Sequence, residues 1–339
     1  MKIENKDLLD KIFFKSSTVS YSHFINLSLY DDEFGYYKNN NIPKDFMTSP
    51  TTHESFGRIM SKQIKDIWNY YDNPRQFTVV ELGGNNGKLK KDILKDISKD
   101  KRFFNSVVYL NIDKVNGDEI NNIDFNADFG CIISNEFFDA LSFNRFIKEN
   151  DEIMEINVKL KNNELVEVYK KIENFNFFNN DVISKIPNGS VFEVINDLDS
   201  IIKKLSSFFN NCVMVTIDYG FNDYNKLFFK NPNGLIRCYH NHSMDKNILK
   251  NIGEKDITCD VNFNFLNDSL DKFGFNKIAN TTQEKFLIKN GFRKYFDNAT
   301  RNEEKRSMIS LINPDGLGGF HVYYHEKPEG SFSPSCLND

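Results

Sequence analysis

Close pairs of cysteine are missing from this chain, and their absence excludes two classes of protein. Five cysteines, Cys131, Cys212, Cys238, Cys259 and Cys336, are scattered through 339 residues. Neither the short paired spacing of a zinc site nor a disulfide framework is present, so no metal is expected. Their apolar or strand-like surroundings read as free, buried thiols. Long apolar runs are missing too: nothing approaches the roughly 20 residues of a membrane span. Positive charge is not in excess, since 43 Lys and Arg face 48 Asp and Glu for a net charge of -5. Nucleic acid is therefore disfavoured as the main ligand. No signal-peptide run opens the chain, and Glu4, Asp7 and Asp10 argue against a transit peptide. With these absences the expected location is a reducing cytoplasm. No internal repeat is found.

Phenylalanine is abundant, with 33 residues. Each buries a large area, so a hydrophobic content of only 40% still supports a substantial core. The length suits one large domain or two modest ones.

Residues 5–30 carry helical spacing, with Leu8, Leu9, Ile12 and Phe13, then Phe24, Leu27 and Leu29. A polar loop at Asn39–Pro43 follows, then a helix over about 53–70 ending at the Asn73-Pro74 breaker. Strands are expected at 77–82, 106–112, 130–134 and 211–217, with helical stretches or loops between the first three. That alternation predicts an α/β fold with a doubly wound parallel sheet. Residues 152–158 and 164–169 read as a hairpin, 191–194 as a strand and 197–209 as a helix. The stretch 221–260 is irregular and reads as an insertion over the active-site face. Helices at 263–272 and 282–290 and a strand at 319–324 follow, and the tail from Pro328 is expected to be disordered.

The densest signal is the strand Phe77–Leu82 running into Gly83-Gly84-Asn85-Asn86-Gly87 and then a helical pattern. Glycines at such a turn let backbone N–H groups approach a ligand, and a helix N-terminus favours negative charge. Glu81, at the strand end, suits a ligand with a positive amine. The spacing departs from a dinucleotide fingerprint, because Asn85 stands at the third place. Asn tolerates a left-handed backbone. A plain tight turn is the alternative reading. Asp113 ends the second strand, roughly 20 or more residues beyond the loop, where an acid holds ribose hydroxyls; a solvated strand-end Asp is equally compatible. The third strand, Cys131–Ser134, ends in Asn135-Glu136-Phe137-Phe138-Asp139-Ala140-Leu141. Ligands in open parallel sheets bind outside the carboxyl strand ends. This puts Asn135, Glu136 and Asp139 at the mouth, backed by two Phe, and the three-residue spacing of Glu136 and Asp139 lets both face one side. The bland reading is that Asn135 or Asp139 caps a following helix. His240 and His242 read as surface loop.

Glu81-Leu82-Gly83 with Gly87, and Asn135 through Leu141, resemble the MidA family of class I methyltransferases. Other stretches fit in order: Leu27–Tyr30, Phe34–Tyr37, Asp45-Phe46 with Thr48-Ser49-Pro50, Phe56-Gly57, Ile217–Gly220, Asp256–Thr258 with Val261 and Phe263, and Thr282-Gln283 with Phe286-Leu287. The resemblance covers about residues 20–325. It implies a Rossmann-like sheet with an N-terminal helical extension (1–75), a cofactor-binding core (76–220), an inserted lid subdomain (221–290), a C-terminal completion (291–327) and the tail (328–339). It implies S-adenosyl-L-methionine as cofactor, held by Glu81, Gly83, Gly84, Asn85, Gly87, Asp113, Asn135, Thr48, Ser49 and Pro50. The implied reaction is methyl transfer to a protein arginine, giving symmetric dimethylarginine, in respiratory complex I assembly. Glu136 would then clamp the guanidinium, Asp139 or Asp218 would take the released proton, and Tyr30, Tyr36 and Tyr37 would stack on the guanidinium. Packing is the alternative for those tyrosines. The implied partner is a protein substrate such as a complex I subunit, with a homodimer left open. The sequence departs from the family at Asn85 and Asn86, and at Thr51, Asn144 and Asp260, where Glu, His and His are usual. A small-molecule or peptide methyltransferase, and a catalytically lapsed binding protein on the same scaffold, are the rival readings.

Overall fold

The computed structural model describes residues 5–39, 48–116, 118–173, 175–240, 243–245 and 247–337. The chain forms two compact units, each assembled from three separated segments. The first takes Met1–Phe46, Asp139–Leu198 and Phe221–Leu266; the second takes Met47–Phe138, Asp199–Gly220 and Asn267–Asp339. The segments 1–75, 76–220 and 221–290 expected from the sequence are thus each divided between the units.

The second unit is built on a six-stranded sheet. Its strands are β1 (Phe77–Leu82), β2 (Val107–Ile112), β3 (Ala127–Asn135), β4 (Phe209–Asp218), β5 (Asn276–Thr282) and β6 (His321–Lys327). Their order is β5-β6-β4-β3-β1-β2. β1 pairs in parallel with β2 and β3, and β3 with β4, whereas β6 runs antiparallel to both β4 and β5. Five strands therefore share one direction and β6 reverses it, so the sheet is mixed where the alternation predicted a parallel one. Every residue of β1 is buried, as in a central parallel strand covered on both faces. The helix Ser55–Tyr70 buries Phe56, Ile59, Met60, Ile64 and Ile67, a stripe at helical spacing. These join Leu89, Ile93, Val79, Cys131, Ile133 and Val215 in one core.

Two features of this unit differ from the expectation. β5 and the helices Phe292–Asn298 and Asn302–Ile312 carry too few alternating or periodic apolar residues to be read in advance. The tail is ordered as far as Leu337 rather than disordered. Phe332 and Cys336 are buried, and Ser335 Oγ donates to Asp66 at 3.0 Å and to Asn290 at 2.9 Å. Two apolar anchors suffice to tie a short terminus down.

The first unit opens with the helix Lys6–Ile12, the short strand Thr18–Ser20 and the helix Tyr21–Tyr30. The helices expected within 5–30 are both present, separated by Thr18–Ser20, which pairs antiparallel with Glu152–Lys161. Glu152–Lys161 also pairs with Phe143–Glu149 and with Glu164–Lys171, the expected hairpin, and Val191–Ile195 joins Phe143–Glu149. The stretch read as irregular holds a three-stranded antiparallel sheet of Ser243–Asp245, Ile236–His240 and Asp256–Cys259. Strands of three to five residues are too short to show period-two alternation. Phe146, Phe175, Phe178 and Phe192 pack ring against ring at centroid separations of 5.2–5.9 Å, which accounts for much of the phenylalanine surplus. All five cysteines are free and buried. Among the described residues, no helix is long and apolar enough to cross a membrane. The polar loop expected at 39–43 falls almost wholly outside the described residues.

Candidate functional site

The carboxyl end of β1 gathers most of the expected residues. Gly83 (φ +67°) and Gly87 (φ +71°) adopt left-handed backbone, and so does Asn85 at φ +43°. A non-glycine residue there costs on the order of 1 kcal/mol, so something must hold it. The backbone N–H of Asn85 donates to Asp113 Oδ2 at 2.6 Å, while Val115 N donates to Oδ1 at 2.8 Å. Asp113 therefore ties the glycine loop to the end of β2. Burial pushes its carboxyl up, against those two backbone donors, which favour the anion. The loop closes on itself through Gly87 N and Gly84 O at 2.8 Å, and Gly87 caps the helix Lys88–Ile97.

Glu81 is 3% exposed. Burial pushes its carboxyl up to about 7, although the Tyr109 hydroxyl and the Lys90 ammonium favour the charged form. Tyr109 donates to Glu81 Oε2 at 2.8 Å. Glu81 pairs in register with Asn111 and Val79 with Tyr109, so Tyr109, Asn111 and Glu81 share one face. A Cβ on Gly84 would overlap the Asn111 amide, so only glycine lets that side chain lie against the loop. Tyr109 and Asn111 were not singled out in the sequence. Their signal was two polar-tipped residues, two apart, in an apolar strand.

At the end of β3, Glu136 adopts φ +50°. Its N–H donates to Ile217 O at 2.9 Å, which holds that strained geometry. Its Oε1 accepts from Asn135 Nδ2 at 3.1 Å and from Ser49 N at 3.2 Å. Ser49 Oγ donates to the buried Gln283 at 3.0 Å, and Gln283 in turn donates to Leu311 O at 3.0 Å. Thr48, Ser49 and Pro50 thus stand beside Glu136, and Thr51 supplies the hydroxyl that accepts from Thr48 N at 3.0 Å. A hydroxyl here does the reciprocal capping that a Glu would do. Gln283 lies in the Thr282-Gln283 motif, whose sequence signals no place beside Glu136; only its bonds to Ser49 and Leu311 put it there.

Phe137 covers Gly83, 3.2 Å from where a Cβ would sit, and packs on Phe138 at 5.2 Å. Asp218 is fully buried. It accepts from Phe138 N at 3.1 Å and Tyr219 N at 2.9 Å. These two bonds fix the backbone of Phe138 and Tyr219.

Asp139 belongs to the first unit. The segment after Glu136 forms turns and then the strand Phe143–Glu149, not a helix, so the three-residue spacing of Glu136 and Asp139 does not align them. The carbonyl of Asp139 accepts from Cys259 N at 2.9 Å. In the same unit Tyr37 donates to Asp256 at 2.9 Å and stacks on Tyr30 at 5.2 Å. Burial first, then the charges of Asp256 and Asp139 among others, raises the Tyr37 hydroxyl well above its ordinary value. Tyr36 is fully buried, the packing alternative. Asn144 accepts from Ser22 N at 3.1 Å, and Asp260 binds Arg237 at 2.6 and 2.8 Å. Both residues at these family His positions have local structural partners. His242 lies outside the described residues.

S-adenosyl-L-methionine presents an amine cation and ribose hydroxyls, all donors. The loop region offers acceptors: the Glu81 and Asp113 carboxylates, and Asn111 Oδ1 and Asn135 Oδ1. The last two are buried without a hydrogen-bond partner among the described residues. Buried acceptors without partners are what such a ligand satisfies, so the residues fit the group.

A family model described as "Putative S-adenosyl-L-methionine-dependent methyltransferase" matches residues 117–280. Protein arginine methyltransferase NDUFAF7, mitochondrial, of Xenopus tropicalis is 23% identical over 386 residues, covering 95% of this chain and 86% of that protein. The Drosophila melanogaster homolog is 30% identical over 100 residues, covering 29% and 23%. Among solved structures, a Burkholderia thailandensis protein bound to S-adenosyl-homocysteine superposes with a TM-score of 0.81 at 15% identity, over 98% and 95% of the chains. A native structure of a COG1565 superfamily protein, also from Burkholderia thailandensis, superposes with a TM-score of 0.80 at 15% identity, over 98% and 94% of the chains. The fold is shared with these structures. Both curated relatives are mitochondrial by name, which overturns the cytoplasmic expectation; free buried thiols report only that a compartment does not oxidise them.

Proposed function

We propose that this chain, which belongs to the MidA-type S-adenosyl-L-methionine-dependent methyltransferases, methylates an arginine side chain of a protein through Glu136. When bound, the cofactor supplies an electrophilic methyl on sulfur. Glu81 and Asp113 hold its amine and ribose, Asn111 and Asn135 accept its remaining donors, and Phe137 shields the loop. A guanidinium is a poor nucleophile because its charge is delocalised and permanent. A fixed carboxylate grips two of its N–H groups and orients the third nitrogen.

The observation that supports this reading is the fixation of Glu136. Its backbone is held left-handed and its Oε1 is set by two N–H donors, the preorganisation that a clamp requires. The arginine acceptor is the one named for the Xenopus and Drosophila relatives. Symmetric dimethylation and a complex I subunit as the acceptor protein rest on the family resemblance.

The test is single-turnover transfer from labelled S-adenosyl-L-methionine to arginine-containing peptides, alongside calorimetric cofactor binding. Glu136→Gln keeps shape and removes charge. It is expected to abolish transfer while leaving cofactor affinity within about threefold. Retained transfer removes Glu136 from the mechanism. Absence of cofactor heat in the wild type refutes the enzyme reading itself.

A further inference from the structure

We propose that the second unit carries a basic groove that docks an acidic polypeptide segment, separately from the cofactor loop. The groove encloses about 780 Å³. Six cations line it: Arg58, Lys62, Lys65, Lys99, Lys101 and Arg102. Only two carboxylates do, Asp96 and Asp100. In a chain of net charge -5, this is a local reversal of sign.

The cations are concentrated by construction. Arg58, Lys62 and Lys65 stand at i, i+4 and i+7 on the helix Ser55–Tyr70, and so lie along one face. Lys101 and Arg102 open the helix Lys101–Ser106. Asp100 is engaged by Lys65 at 2.6 Å, and Asp96 by Lys99 and by Ser61. Lys62, Lys101 and Arg102 are exposed and have no carboxylate within ion-pair distance among the described residues. They are the groups a ligand would neutralise.

The floor is apolar, with Ile97, Phe103 and Tyr295. Arg102 also lies over the Trp68 ring at 5.6 Å and Arg58 over Tyr295 at 5.7 Å. Cations around an apolar floor suit a peptide that brings carboxylates and one apolar side chain. The two fixed carboxylates, Asp96 and Asp100, interrupt the continuous positive track that a nucleic acid backbone would follow. Asp96 and Ile97 are at the carboxyl end of the helix Lys88–Ile97, whose amino end carries the glycine loop. Ten residues at about 1.5 Å each separate the two ends by roughly 15 Å, so a docked segment leaves the cofactor loop open. The proposal stands whatever the methyl acceptor is.

The probe is a fluorescein-labelled peptide of eight glutamates around one central leucine, followed by anisotropy with the full chain. Saturable binding is expected, falling steeply from 50 to 300 mM salt as exposed charge contacts are screened. Lys62→Glu, Lys101→Glu and Arg102→Glu together are expected to weaken it at least about tenfold. The three positions are exposed, and unchanged cofactor binding by the variant confirms its fold. A lysine counterpart of the peptide should not bind. No binding of the glutamate peptide overturns the proposal, as does binding the triple variant retains. Tighter binding of a single-stranded oligonucleotide or of phosphatidylserine vesicles to the same three residues overturns it in favour of those ligands.

Discussion

Replacing Glu81 by Gln removes a charge from one of the most enclosed positions in the second unit while keeping the acceptor that Tyr109 needs. Burial raises the Glu81 carboxyl from an ordinary 4.5 to about 7. At about 1.4 kcal/mol for each pH unit, the ionised form is disfavoured in the folded chain by roughly 3 kcal/mol. The sign follows by linkage. A group whose folded pKa is raised gives stability that is complete below the unfolded value and is lost as pH rises through the folded value. Wild type should therefore lose stability between about pH 4.5 and 7 through this residue. Glu81→Gln should escape that loss, gaining roughly 2–3 kcal/mol at pH 8 and under about 1 kcal/mol at pH 5. Cofactor binding reverses the balance, because an amine cation favours the anion. Wild-type affinity should rise with pH up to about 7 and then level, with proton release on binding. In Glu81→Gln the affinity should be lower and its pH dependence flatter. Thermal unfolding at the two pH values, and calorimetry in buffers of different ionisation enthalpy, read both effects. Equal destabilisation of Glu81→Gln at pH 5 and pH 8, or wild-type affinity flat between pH 6 and 8, would refute the reasoning.

Asn85→Gly should tighten the cofactor a few-fold, since the left-handed strain goes and the main-chain bond to Asp113 remains; weaker binding by titration would show that the Asn side chain contributes. Gly84→Ala should displace the Asn111 amide and weaken the cofactor by about tenfold, roughly 1.4 kcal/mol, with thermal stability moving far less. In the first unit, Arg145 pairs with Glu193 at 3.0 Å and Glu167 at 2.7 Å. The Glu193 side chain is almost wholly enclosed, and burial raises its carboxyl despite the adjacent guanidinium. Arg145→Ala should therefore cost about 3–5 kcal/mol in urea unfolding. Lys171→Ala, which breaks an exposed pair with Glu152, should cost nothing measurable.

Much of the second unit could be read from local pattern. β1 and β3 are apolar runs bounded by turn residues, and the loop between Gly83 and Gly87 announced its left-handed positions through glycine and asparagine. β5, Asn276–Thr282, is held by pairing with β6 rather than by its own pattern, so nothing local marked it. At the site, the strand-end acids Glu81 and Asp113 were legible because their positions follow from strand boundaries. Their partners were not: Tyr109 and Gln283 act through contacts 28 and 234 residues away in sequence. The pairing of Glu136 with Asp139 assumed helical geometry that the chain abandons there for a turn and a strand. The ordered end of the chain depends on where Phe332 and Cys336 find cover, which composition does not encode.

The position of β6 bears on how the chain is made. β6 is the last strand in sequence, yet it lies between β4 and β5 and is bonded along its length to both. Until the ribosome has released residue Lys327, those two strands each keep an unpaired edge, and such edges recruit other chains. A premature stop anywhere before His321 would thus yield a polypeptide with two open edges in the middle of its sheet, a form that quality-control proteases and chaperones should recognise at once.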